Sequence, residues 1–252
     1  MPGWLKMSKK DKKFELSIVK TAKDIKYEKP DRLNKFVDES EYDKIDDALG
    51  AGVALTNAGT TLVEEDVLPT LLAENKKDTR YIVDNKIPDS EKCSINGVDY
   101  IKSGAVLAET HTRSEEHHDA EKRAKNGYVS QSLVNISKSV ETKAQKGDYE
   151  DFAKKQEKNL GKRRKCAGGL SEDEVTGEPL RGNGEFHHAN KKSIFTDPVQ
   201  RLDPNAGVVV NSETHTDIHR KNINDKKALE DYKKLKVSLQ RHNHKSQQKP
   251  SQ

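Results

Sequence analysis

Cysteine is scarce in this chain of 252 residues: only Cys93 and Cys166 are present, far apart and outside any CxxC pair. A disulfide framework and a four-cysteine zinc ribbon are therefore excluded, and Cys166 is expected as a small buried thiol. Apolar residues are also few. They make up 31% of the chain against 35% charged residues, which makes it a poor candidate for one large core. Two organisations fit: a small packed domain beside long polar helices, or a chain partly disordered when alone. No apolar run approaches the ~20 residues of a membrane span. Met1 to Lys20 is basic but lacks the continuous apolar core of a secretory signal. The default location is the cytoplasm, with export by a system that reads no cleavable signal left open.

Excess charge of one sign is small, with 46 basic and 42 acidic residues and a net charge of +4. Its distribution is more informative than its size. Lys162, Arg163, Arg164 and Lys165 form one run, and Arg220, Lys221, Lys226, Lys227, Lys233, Lys234 and Lys236 cluster further on. Such clusters attract polyphosphates by releasing condensed counterions; the competing reading is a solvated helix face.

Residues 1–38 read as a basic flexible arm, with Met7 as an alternative start. Residues 39–160 read as mainly helical with a short hairpin. Tyr42, Ile45, Ala48 and Leu49 share a helical face that Gly50 and Gly52 end. Thr61 and Glu64 have capping-box spacing, and Pro69 interrupts or restarts the helix that follows. Tyr81-Ile82-Val83 favours a strand, and Asn96-Gly97 signals a tight hairpin. Val129, Leu133, Ile136, Val140 and Ala144 trace one helical face, and Tyr149, Phe152, Gln156 and Leu160 another, with Gly161 ending it. His111, Glu115 and His118 can share a helix face, but with no strand or His-x3-His after them they read as solvated. Texture changes near residue 160, and 241–252 reads as a disordered tail.

The segment from 184 reads GEFHHANKKSIFTDPVQRLDPNAGVVVNSETHTDIHRKN. Phe186-His187-His188 follows a glycine-rich turn and suits a strand. Gly207-Val208-Val209-Val210 suits a second. Asn211 or Ser212 then caps a helix, on which His215 and His219, four apart, share a face. Leu229, Tyr232, Leu235 and Leu239 are expected to pack against this module. Three imidazoles from two elements can hold one divalent cation and leave positions open for water and phosphate. A fourth, adjacent on a strand, points elsewhere and suits general-base work near neutral pH.

FHH, an Asn-containing loop and VVVNSETHTDIHR together resemble the HNH, or ββα-metal, nuclease family, and in detail the DNase domains of colicin-type bacteriocins. Those domains carry a glutamate two positions before the paired histidines, where Glu185 stands, and a His-x3-His-Arg ending, matched by His215, His219 and Arg220. Cys166 and Asp173-Glu174-Val175-Thr176-Gly177 resemble the family's lead-in. The resemblance covers roughly the last third of the chain and implies an α+β protein: a ββα-metal nuclease domain over 161–240 behind a mostly helical, polar N-terminal region.

Carried over residue by residue, the resemblance makes His187, His215 and His219 metal ligands and His188 the base that activates water. Glu185 orients the base or its strand, Asn205 (with Asn211 as alternative) fixes the loop that carries the base, and Arg220 contacts phosphate. The implied activity is metal-dependent phosphodiester hydrolysis with magnesium, manganese, nickel or zinc. The implied partner is nucleic acid, DNA ahead of RNA. Two alternatives accompany it. One is a nuclease toxin with an immunity protein, or an enzyme paired with a phage or defence protein; the other is a non-catalytic DNA-binding or assembly protein on the same scaffold.

Overall fold

A computed structural model describes residues 14–33, 35–191 and 198–247. The protein is α+β and its described residues divide into two compact units, one over residues 16–151 and one from residue 152 onward together with residues 14 and 15. The first thirteen residues of the expected arm and the last five of the expected tail lie outside the described residues.

The first unit is built on a five-stranded antiparallel sheet in the order β1-β2-β3-β5-β4. Its strands are β1 (Ile18–Thr21), β2 (Val53–Thr56), β3 (Thr61–Glu64), β4 (Lys92–Ile95) and β5 (Val98–Lys102). Helices α1 (Glu39–Gly52), α2 (Leu68–Leu71), α3 (Lys76–Asn85), α4 (Ser103–Glu116) and α5 (Ala120–Lys138) accompany the strands. Tyr42, Ile45 and Leu49 of α1 meet Leu55, Val63 and Ile101 of the sheet and Val129, Leu133 and Ile136 of α5 in one core. Within the expected arm, the described residues are structured rather than flexible. Ile18 to Thr21 pair with β2, and Ala22, Ile25 and Val37 are buried. Lys29 and Arg32 both reach Asp46 of α1, at 2.8 and 2.7 Å.

Two local expectations are overturned in this unit. Tyr81-Ile82-Val83 lies in α3, because Asn75 caps that helix by accepting from Asp78 N at 2.9 Å, and the spacing of buried Thr79, Ile82 and Val83 is helical. Capping and amphipathic spacing outweigh the intrinsic preference of three residues. Thr61 and Glu64 bound a strand, not a capping box, since Leu62 and Val63 are buried between β2 and β5. Asn96 and Gly97 do turn a hairpin, both at positive φ. The face traced from Val129 stops at Ser139: α6 (Val140–Glu157) starts afresh and Val140 is exposed.

The second unit holds the end of α6, then α7 (Leu160–Gly168), β6 (Glu185–His188), α8 (Pro198–Arg201), β7 (Gly207–Val210), α9 (Ser212–Arg220) and α10 (Lys226–Gln247). Gly161 sits inside α7, and Gly169, at positive φ, ends that helix. The helix α10 carries the chain through Gln247, so the tail expected from residue 241 is helical that far; no glycine or proline interrupts it before Pro250. Val175, Val210, Ile218, Ile223, Leu229 and Tyr232 form the core, whereas Leu235 and Leu239 are exposed against expectation. The residues that α10 contributes to this core, Leu229 and Tyr232, lie in its first two turns. Cys166 is exposed too, on a helix whose packing side carries Leu160.

β6 and β7 pair antiparallel, with His187 opposite Val208 and His188 opposite Gly207. A Cβ at Gly207 would collide with the His187 carbonyl oxygen and stand 2.6 Å from the Phe186 ring. The strands therefore approach this closely only with glycine there. Gly207→Ala should lower stability by roughly 1–3 kcal/mol, read as an earlier denaturant midpoint at unchanged m-value. A midpoint equal to that of wild type would show that the register tolerates a methyl group.

Candidate metal centre

Alternation along β6 puts Glu185 and His187 on one face and Phe186 and His188 on the other. The Phe186 and His188 rings meet edge-to-face with centroids 5.0 Å apart. On the opposite face His187 looks toward α9, where His215 and His219 stand one turn apart. Ring centroids are 5.4 Å from His187 to His215, 5.1 Å from His187 to His219, and 4.6 Å between the two α9 histidines. One ring nitrogen of each lies within 4.8 Å of the others. Among the described residues this trio is the group of His, Cys, Asp or Glu side chains able to share a cation.

The donor set fits a divalent transition metal. The Nε2 atoms of His215 and His219 are 3.2 Å apart. Two imidazole nitrogens at ~2.0–2.1 Å from a tetrahedral ion would be separated by roughly 3.3 Å. Glu185 Oε2 lies 2.5 Å from His215 Nδ1, which places that ring's proton on Nδ1 and its lone pair on Nε2, toward the trio. The His187 imidazole, ordinarily near 6.5, is pushed down to about 4, first by burial and then by the neighbouring His215 and His219. A hydrogen bond with the Ile223 backbone opposes the shift without reversing it. His187 is thus neutral, as a ligand must be, at any ordinary pH.

His188 is buried on the far face of β6, with Nε2 3.1 Å from the carbonyl oxygen of Arg201. A carbonyl only accepts, so Nε2 carries the proton and Nδ1 the basic lone pair. His187, His188, His215 and His219 line one cleft of about 300 Å³, with Lys191 and Asn224 also in its wall.

No family model, curated protein or solved structure matches the chain.

The remaining expected site residues lie elsewhere. Glu185 contacts His215 rather than His188, because strand alternation sets Glu185 and His188 on opposite faces. Asn205 is exposed in a 3-10 turn (Pro204–Ala206) and accepts from Arg164 Nη1 at 2.5 Å. It ties the loop ahead of β7 to α7 and does not line the cleft. Asn211 occupies the N-cap position of α9 but makes no side-chain cap bond. Its amide accepts from Arg181 N at 2.7 Å and donates to the Pro179 carbonyl at 3.2 Å. Arg220 projects from the other side of α9, paired with Asp217 at 2.6 Å. Tyr232, Lys221, Arg220 and Lys236 all donate to Asp217 and hold its carboxyl well below the usual range.

The basic run is absorbed by the fold as well. Arg164 grips Glu174 with Nη2 at 2.8 Å, Lys165 reaches the Gly182 carbonyl at 3.2 Å, and Arg163 points at the Leu202 carbonyl at 3.5 Å. In the first unit, α4 ends at Glu116, so His118 does not share a helix with His111; its ring stacks on His117 instead.

Two residues of the family-like lead-in, Asp173 and Glu174, brace the site. Asp173, fully buried, accepts from Val175 N and Thr176 N at 2.9 Å each and from Asn211 N at 2.7 Å, locking the lead-in turn to the start of α9. Glu174 accepts from Val209 N at 2.8 Å. The signal for Asp173 was available as an Asp-x-x-Thr-Gly turn. The carbonyl of Arg201 has no sequence signal at all.

In metal-free protein, kept so with EDTA, the unfolded chain protonates His187 near pH 6.5 and the folded chain only near pH 4. Stability present above the first value is lost as pH falls toward the second. Urea midpoints should drop across that window, and His187→Gln should flatten this part of the slope. A wild-type slope in the variant would show that His187 titrates as an ordinary imidazole.

Proposed function

We propose that the second unit is a metal-dependent endonuclease of the HNH type, hydrolysing phosphodiester bonds in DNA ahead of RNA. The observation that carries this reading is the convergence of His187, His215 and His219 on one face of a hairpin–helix unit, with His188 in the same cleft on the opposite face of the strand. His187, His215 and His219 would hold the cation, with Glu185 fixing the orientation of His215. When bound, a divalent cation would offset negative charge on the phosphate and on the leaving 3′ oxygen.

His188 performs the proton transfer. With Nε2–H held by the Arg201 carbonyl, Nδ1 takes the proton of the attacking water. Burial of His188 against Phe186 limits rotation of the ring, so the base is preoriented. Lys191, exposed in the wall of the cleft, supplies positive charge toward a backbone phosphate. Arg220, paired with Asp217 on the other side of α9, has no part in this scheme.

Supercoiled plasmid should be nicked with magnesium, manganese, nickel or zinc and spared with EDTA. His188→Ala should lower the rate by ~10²–10⁴-fold while metal binding persists. His215→Ala should lose metal binding and cleavage together. Folded, metal-loaded wild type that cuts neither DNA nor RNA would overturn the proposal; strong salt-sensitive DNA binding in that case would favour a non-catalytic scaffold.

A further inference from the structure

A largely shielded ion pair stands behind His188. Glu157 is the last residue of α6 and Arg201 the last of α8, and Arg201 Nε donates to Glu157 Oε1 at 2.7 Å. Their side chains are 14% and 17% exposed. Holding two charges out of water costs free energy that their mutual attraction only partly returns, so the pair calls for a reason. Its position provides one. α8 is four residues long, and the carbonyl of its final residue lacks an intrahelical partner. That carbonyl, on Arg201, accepts from His188 Nε2. The next residue, Leu202, is buried, so the backbone at this point is held from both sides: Leu202 in the interior and the Arg201 side chain on Glu157.

We propose that Glu157 and Arg201 are positioning residues for His188. Their ion pair fixes the Arg201 carbonyl against Nε2 and so sets the plane and the tautomer of the imidazole. The consequence for rate rests on the nuclease reading; the consequence for the tautomer does not. Neither residue lies in the FHH or His-x3-His segments, and Glu157 is 31 residues before His188.

The experiment uses the full chain labelled with ¹⁵N-histidine. Ring nitrogen spectra are recorded at about pH 8.5, where an ordinary imidazole is neutral, and His188 is assigned by its loss in His188→Gln. Wild type should show His188 protonated at Nε2. Glu157→Gln, close in shape but uncharged, should show mixed tautomers, and its kcat for plasmid nicking should fall roughly 10- to 100-fold with KM and metal titration unchanged. Arg201→Lys, which keeps the charge, should restore part of that loss relative to Arg201→Met, and it carries the test if Glu157→Gln fails to fold. An Nδ1-protonated His188 in wild type overturns the proposal, as does a Glu157→Gln protein with wild-type tautomer and wild-type kcat. If wild type cuts no nucleic acid, the nuclease reading falls, while the tautomers of wild type and Glu157→Gln still decide the positioning role.

Discussion

The antiparallel register of β6 on β7 is the constraint on which the candidate site depends. Two adjacent histidines serve different purposes only if a strand holds their rings on opposite faces. With His187 opposite Val208 and His188 opposite Gly207, the first looks to α9 and the second to the carbonyl of Arg201. A slip of one residue would exchange the two faces, setting Phe186 and His188 toward His215 and His219 and turning His187 away together with Glu185. Gly207 opposes that slip sterically, since the space a side chain would need is filled by the Phe186 ring and the His187 carbonyl.

A two-stranded hairpin is marginal by itself, and this one is held at its edges by polar groups more than by apolar mass. Asp173 satisfies three backbone N–H groups in an interior where each unpaired donor would cost ~1–3 kcal/mol. Glu174 extends the sheet edge by exchanging bonds with Val209, through its own backbone N–H and its carboxylate, and Arg164 holds that carboxylate. The small core of Val175, Val210, Ile218, Ile223, Leu229 and Tyr232 then seats α9 and α10 on one side. The composition fits this arrangement: a chain so poor in apolar residues orders its site with buried carboxylates and their donors.

Periodicity made the histidines legible. A spacing of four on a capped helix puts His215 and His219 on one face whatever their partners, and a β-branched run after a glycine selects the strand beside β6. The same rules applied to Glu185 would have directed it to His187's face; resemblance pointed instead to the base, and alternation prevails. Asn205, Arg220 and the basic run were harder, because their partners Arg164, Asp217 and Glu174 are fixed by tertiary packing. In the first unit, the arm's burial rests on Ile18 finding Thr56 and on Lys29 and Arg32 finding Asp46, pairings that no local pattern announces. Tyr81-Ile82-Val83 is helical because a cap and an i, i+3, i+4 pattern, visible only in a longer window, outweigh the strand propensity of three residues.

The electrostatics of the cleft separate the two histidine roles further. Burial and two neighbouring imidazoles keep His187 neutral, which suits a ligand, since protonation would compete with a cation. The carboxylate nearest the trio, Glu185, contacts the outer nitrogen of His215 and so supplies orientation without occupying a metal position. Three imidazole donors would leave a bound dication's charge largely uncancelled, and Lys191 in the same cleft wall would add to it. A cleft of that character favours an anionic ligand over a neutral one. On the nuclease reading, the all-histidine donor set therefore does two things at once: it tolerates several divalent metals, and it keeps the field at the cleft positive where a phosphate would have to bind.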